Sequence, residues 1–279
     1  MSRGIRYMLI ATFTFTLMKV GVKLVPHIPP IEIIFFRSII SLIISAFALR
    51  VQRVSIWGTN KLILVARGVS GAIALFLYFT LLQQIPLATA STLQYLAPVF
   101  TSILAIFLLR EKVKSIQWLF FFISFLGIIT VQGFDTRISI SHLLIGITAS
   151  FFMGLAYNFI RMLKTSEHPL VIILYFPLVT LPIAGIISIF QWVQPIGVDW
   201  IVLIAIGVLT QIAQYFMTRS YQNEEVNRVA IVNYTGLIYS LGFGFIIFGE
   251  TFNLMTYLGM ALVLAGVILN LVFKKASVS

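Results

Sequence analysis

The sequence predicts an all-α integral membrane protein of ten transmembrane helices, built as two inverted five-helix repeats with the N- and C-termini cytoplasmic. Three observations lead there. The 279 residues are 60% hydrophobic and 10% charged, with mean hydropathy +1.05. A soluble domain is nearer half apolar and a quarter charged, and a chain this size has too little interior to hide the difference. Apolar runs long enough to cross a ~30 Å hydrocarbon core recur ten times, and the basic residues between them alternate by side as membrane topology demands.

The spans follow one another with turn chemistry or charge between them. Span 1 (7–25) stops at Pro26-His27-Ile28-Pro29-Pro30, and span 2 (31–49) at the stretch from Arg50 to Lys61. Span 3 (62–82) stops at Gln83-Gln84-Ile85-Pro86, span 4 (88–109) at Arg110-Glu111-Lys112, and span 5 (115–133) at Phe134 to Ser141. Span 6 (143–160) precedes Arg161 to His168, span 7 (169–191) precedes Gln194-Pro195-Ile196-Gly197, and span 8 (199–218) precedes Asn223-Glu224-Glu225. Span 9 (229–249) reaches Gly249, and span 10 (254–273) follows Asn253. Such short loops leave no room for a soluble domain. Arg3 and Arg6 ahead of span 1 suit the start of a signal peptide, but no small-x-small cleavage site follows, and span 1 is expected to remain as a helix.

With the N-terminus inside, the cytoplasmic segments hold Arg3, Arg6, Arg50, Arg53, Lys61, Arg110, Lys112, Lys114, Arg161, Lys164, Arg219, Arg228, Lys274 and Lys275, while the outer loops hold only Arg137. The formal charge of +11 is therefore a positive-inside signature and not a nucleic-acid footprint. Trp192 and Trp200 flank the loop before span 8 and suit an aromatic belt.

The chain also repeats itself. A shift of 139 positions lays Gln83 on Gln222, Tyr95 on Tyr234, Glu111 on Glu250, Leu119 on Leu258 and Gly127 on Gly266. Polar residues are scarce here, so their coincidence carries information. The halves are placed at 1–136 and 137–279, five spans each. Five is odd, so the second half enters from the opposite side. Inverted repeats enclosing a midplane site are a transporter design.

The paired pattern resembles the drug/metabolite transporter superfamily, specifically its ten-helix EamA-type members. The resemblance rests on Phe35-Phe36-Arg37, Leu93-Gln94-Tyr95-Leu96-Ala97-Pro98, Leu108-Leu109-Arg110-Glu111-Lys112 and Gly127-Ile128-Ile129, echoed by Val232-Asn233-Tyr234-Thr235-Gly236, Phe248-Gly249-Glu250 and Ala265-Gly266-Val267-Ile268. It covers nearly the whole chain, with one departure: Pro98 pairs with Leu237. The resemblance implies a cavity between spans 1, 3, 4, 6, 8 and 9, alternating access, and export of a small metabolite across a bacterial-type inner membrane. It is silent on substrate, since relatives move amino acids, nucleosides and cofactors. Uptake or exchange of a cofactor-like metabolite such as S-adenosylmethionine is the alternative within carriers, and a passive channel the alternative outside them.

Polar side chains inside a bilayer are costly and belong on interior faces. Thr12, Thr16, Lys19 and Lys23 form one stripe on span 1. Lys19 is the leading candidate for a substrate contact, set against snorkelling or a backbone partner, and Lys23 is expected to snorkel. Arg37 is assigned a structural or gating role, with Glu32 as an imperfect partner. Arg67, Gly71, Ala74 and Tyr78 share a face of span 3, where Arg67 competes between the cavity and lipid headgroups. On span 4 the candidates are Gln94 and Tyr95; Pro98 frees the Gln94 carbonyl and predicts a kink. Tyr157 and Asn158 on span 6, Gln211 and Gln214 on span 8, and Asn233 and Tyr234 on span 9 complete the set, each either a ligand contact or interhelical glue. Gly259 and Gly266 suit close packing or a dimer face, so the working unit is a monomer or a homodimer.

The absences also exclude. There are no cysteines and only three histidines, far apart, so no cofactor, metal site or thiol chemistry is expected. No acid lies well inside a span, so a buried carboxylate proton relay is not expected, and no nucleophile cluster supports an enzyme. The candidates are basic or neutral. That favours a carboxylate-bearing or zwitterionic substrate over a purely cationic one.

Overall fold

The computed structural model describes residues 2–223 and 232–275. Glu224, Glu225, Arg228 and the opening residues of span 9 (229–231) lie outside the described residues, as do the side chains of Gln222, Lys274 and Lys275. The described residues form helices joined by short turns: α1 (Arg3–Leu24), α2 (Pro30–Val51), α3 (Lys61–Gln84), α4 (Leu87–Gln94), α5 (Ala97–Leu108), α6 (Ser115–Phe134), α7 (Ile140–Leu163), α8 (Pro169–Gln191), α9 (Val198–Asn223), α10 (Thr235–Phe248) and α11 (Leu254–Lys275). Eight spans, with α4 and α5 together counted as one, are long and apolar enough to cross a membrane; α10 and the stretch Leu254–Asn270 are shorter apolar helices.

Helix starts follow local chemistry. Ser2 Oγ accepts from the Ile5 amide, and Asn60 Oδ1 from the Ile63 amide. Ser139 and His142 satisfy each other's backbone N–H groups in a capping box. Pro30 and Pro169 occupy first-turn positions, where a missing N–H costs nothing.

The kink expected at Pro98 is a full interruption of span 4. Pro98 has no N–H to give the Gln94 carbonyl. The Tyr95 amide closes α4 on the carbonyls of Ser91 and Thr92 (3.2 and 3.1 Å), and α5 restarts with the Val99 and Phe100 amides on the Leu96 carbonyl. Span 9 breaks at the matching residue although it carries Leu237 in place of the proline: Tyr234 (φ −72°, ψ −10°) is a turn between helical residues 232–233 and α10. The spans also end alike. Arg110 (φ +55°) and Gly249 (φ +63°) take the left-handed conformation, and the next amides, Glu111 and Glu250, bond back to the carbonyls of Ala105 and Gly244.

The largest interfaces join α1 to α9, α3 to α7, α2 to α8 and α6 to α11, which pairs span 1 with 8, 3 with 6, 2 with 7 and 5 with 10. The α6–α11 contact is glycine-lined: a Cβ on Gly259 would sit 2.8 Å from the Gly127 carbonyl oxygen, and one on Gly266 would sit 2.6 Å from that of Phe120. The small-residue face weighed as a dimer seam is thus consumed inside the chain. Gln117 Nε2 donates to Asn270 Oδ1 (2.7 Å) across the same interface.

Candidate functional site

Polar contacts lace the two ends of the bundle. At one end Lys23 Nζ pairs with Glu250 (2.8 Å) and donates to the Ile85 carbonyl (2.6 Å), while both Glu250 oxygens accept from the Leu87 amide that opens α4. His27 meets Asp199 (3.0 Å), Gln83 caps the carbonyls of Val25 and Ile28, and Glu32 accepts from the Val193 amide. At the other end Arg161 pairs with Glu111, Glu167 accepts from the Asn60 amide, and Ser220 donates to the Gly4 carbonyl. Two expectations are corrected. Lys23 does not snorkel, because an acid from the other half of the chain reaches it. Glu32 is not the partner of Arg37: a five-residue offset points the two side chains apart.

Between these ends the predicted site residues fall into three groups. The first surrounds Lys19, which is 7% exposed. Its Nζ donates to Ser91 Oγ (3.3 Å), which bonds Ser240 Oγ (2.9 Å), so α1, α4 and α10 meet there. The ammonium lies 5.5 Å from the centre of the Tyr78 ring and 6.0 Å from that of Tyr95, within cation–π reach. Tyr95 packs edge-to-face on Tyr234 (4.9 Å) and donates to the Asn233 carbonyl (3.5 Å). Thr16 is buried on the same stripe, its hydroxyl bonded to the Thr12 carbonyl; Gln94 and Asn233 are half-buried beside the tyrosines.

The second group is Arg67, Gln211 and Gln214, which line one recess with Arg37, Ser41, Phe176 and Thr210. Both guanidinium groups lie over the Phe176 ring, Arg67 at 4.5 Å and Arg37 at 5.4 Å. Arg37 Nε donates to Thr210 Oγ1 (3.1 Å). The third group is Tyr157 and Asn158. Tyr157 is 43% exposed yet stands within electrostatic reach of Arg67, beside the second group, and Asn158 spends its amide on the carbonyls of Thr101 and Gly154, fastening α7 to α5.

The residues that sequence reasoning passed over are Ser91, Thr210 and Phe176. Ser91 stands one turn before Tyr95 on the same face, a signal that was available. Phe176 is one of 25 phenylalanines and carries none.

Apolar spans around a cationic interior, tied at both ends by ion pairs, define a class, the multi-pass membrane proteins. The description EamA-like transporter family matches residues 2–132 and 140–272, and the chain belongs to that family. It is 29% identical over 268 residues to the pseudopaline exporter CntI of Pseudomonas aeruginosa, covering 95% of this chain and 94% of that one. Solute carrier family 35 member G1 of Mus musculus is 29% identical over 86% of this chain and 70% of its own. A solved crystal structure superposes with TM-score 0.68 over 98% of this chain and 97% of the other at 17% identity, which speaks to the fold alone. The protein is a multi-pass protein of a bacterial-type inner membrane.

Proposed function

We propose that the protein is a secondary transporter that exports a small carboxylate-bearing or zwitterionic metabolite by alternating access. The observation that carries this is Lys19: a buried ammonium held by hydroxyls and tyrosine rings, with no carboxylate paired to it among the described residues. An intramembrane cation without an internal counter-ion is a place for a ligand's anion. Thr16, Tyr78, Gln94, Tyr95, Asn233 and Tyr234 cover the rest of the substrate in this reading, and Arg67, Gln211 and Gln214 line its route. Tyr157 stands beside Arg67 on that route, and Asn158 has the weaker claim, since its amide fastens α7 to α5.

The transport cycle rests on residues 1–136 and 137–279 as inverted repeats. Support comes from the span pairing, since adding five to each member turns 1–8 into 6–3 and returns 2–7 and 5–10 to themselves. The shared break at Tyr95 and Tyr234 and the shared left-handed ends at Arg110 and Gly249 add to it. In the same relation Glu250 holds the end of α1 and Glu111 the end of α7. These two ion pairs then close opposite faces of the membrane, and the cycle breaks one at a time.

The test is thermal stabilisation of detergent-purified protein against a metabolite library. A ligand at 100 times its dissociation constant adds about 2.7 kcal/mol. Carboxylate-bearing hits that disappear in both Lys19→Ala and Lys19→Gln support the assignment; hits indifferent to both substitutions remove Lys19 from the site.

A further inference from the structure

We propose that the Arg37–Arg67 recess is a second anion site, built for a ligand group bearing two negative charges, such as a dicarboxylate or a phosphate. The inference deepens the transport reading above and rests on it for the ligand's origin.

Four features point there. Both guanidinium groups share one aromatic ring, which places their carbons within about 10 Å of each other. That is a span two carboxylates of one small molecule can bridge. The described acids, Glu32, Glu111, Asp135, Glu167, Asp199 and Glu250, are all engaged at helix ends, so none neutralises the pair. Nε and Nη1 of Arg67 are buried donors with no hydrogen-bond partner, the condition a ligand's oxygens relieve. Gln211 and Gln214 complete a polar lining. Depth argues against a lipid headgroup: Thr210, the partner of Arg37, lies about 18 Å along α9 from its first residue, near the middle of a ~30 Å core.

The gap itself is about 20 Å3, room for one water or one anionic oxygen, so a whole dianion enters by moving a wall. The movable wall is α8. Pro177 lacks an N–H, which leaves the Ile173 carbonyl without its helical donor, and both residues line the recess. Two like charges over one ring of a hinge-bearing helix are drawn together by a dianion and by no monoanion to the same extent.

The experiment is calorimetric titration of the purified full chain with succinate, inorganic phosphate and acetate. The expected result is that succinate or phosphate binds at least tenfold more tightly than acetate, that Arg67→Gln and Arg37→Gln each weaken the dianion at least tenfold, and that Arg67→Lys keeps it within a few-fold. Equal affinities for dianion and acetate in the wild-type protein overturn the proposal without any variant, so poor folding of a mutant does not shield it. Lys19→Ala separates the two readings. Dianion binding that survives Lys19→Ala and is lost in Arg67→Gln assigns it to the arginines. Binding lost in Lys19→Ala but intact in both arginine variants overturns this inference and leaves the transport reading standing.

Discussion

Replacing Lys23 by methionine is expected to open the Glu250 end of the bundle. The pair is buried, with 15% of the Lys23 side chain and 7% of the Glu250 side chain exposed. Removing one partner of a buried pair typically costs ~3–5 kcal/mol because a charge is stranded. Here the loss is smaller, since Glu250 keeps the Leu87 amide on both oxygens at 3.1 and 2.8 Å. About 2 kcal/mol against the closed arrangement is a fair figure, and at 1.4 kcal/mol per tenfold it shifts the closed-to-open ratio roughly 30-fold. The chain has no cysteine, so a single Ala88→Cys, fully buried in the first turn of α4 beneath the pair, is the sole target for a membrane-impermeant maleimide. Labelling of Ala88→Cys should rise about 30-fold in the Lys23→Met background and stay near the parent rate with Lys23→Arg. Arg161→Met, which loosens the other end, should lower it. A rate unchanged by Lys23→Met, or raised by both methionine substitutions alike, refutes the idea that these pairs close separate faces.

Two further outcomes test packing and topology. Gly259→Leu is expected to destabilise the α6–α11 seam by at least ~1–3 kcal/mol, because its Cβ already meets the Gly127 carbonyl and Val131; the melting temperature in detergent should fall, and an unchanged value would mean that the seam yields freely. Reporter fusions should place both termini in the cytoplasm, as the basic residues demand; a periplasmic signal at either end would invert the assignment of faces.

Much of the fold was legible because hydropathy and turn chemistry are strong signals in a chain that must satisfy its backbone in lipid. Pro98 announced a disturbance, and the structure made it a break. What sequence spacing left open was which face of each helix looks inward. In a soluble helix polarity marks the outside. Here lipid and core are both apolar, so periodicity does not tell them apart. Asn158 and Gln211 looked alike for that reason, yet one fastens α7 to α5 and the other lines a recess. Long-range partners were equally hidden: nothing near Lys23 in sequence names Glu250, and nothing near Arg67 names Phe176. The cations could be picked out one by one, since each is rare in a span, but their grouping around Ser91 and around Phe176 belongs to tertiary packing.

The two ion pairs are unequal, and the inequality bears on direction. Lys23–Glu250 is withdrawn from solvent and braced by the α4 amide, whereas the Arg161 and Glu111 side chains are 36% and 32% exposed. An exposed pair gains little, because water screens it and solvates both partners once they separate; a buried one strands its charges when broken. Opening is therefore cheaper at the Glu111 end. On the topology proposed from the basic residues that end faces inward, and the carrier proposed above rests closed to the outside and ready to load from within. An exporter needs that bias at the start of its cycle. In the cycle proposed above, ligand binding supplies the energy to break the tighter pair, and a substrate that draws Lys19 and the arginines toward the centre pulls on α1, α2 and α3, whose ends the polar contacts around Glu250 hold together.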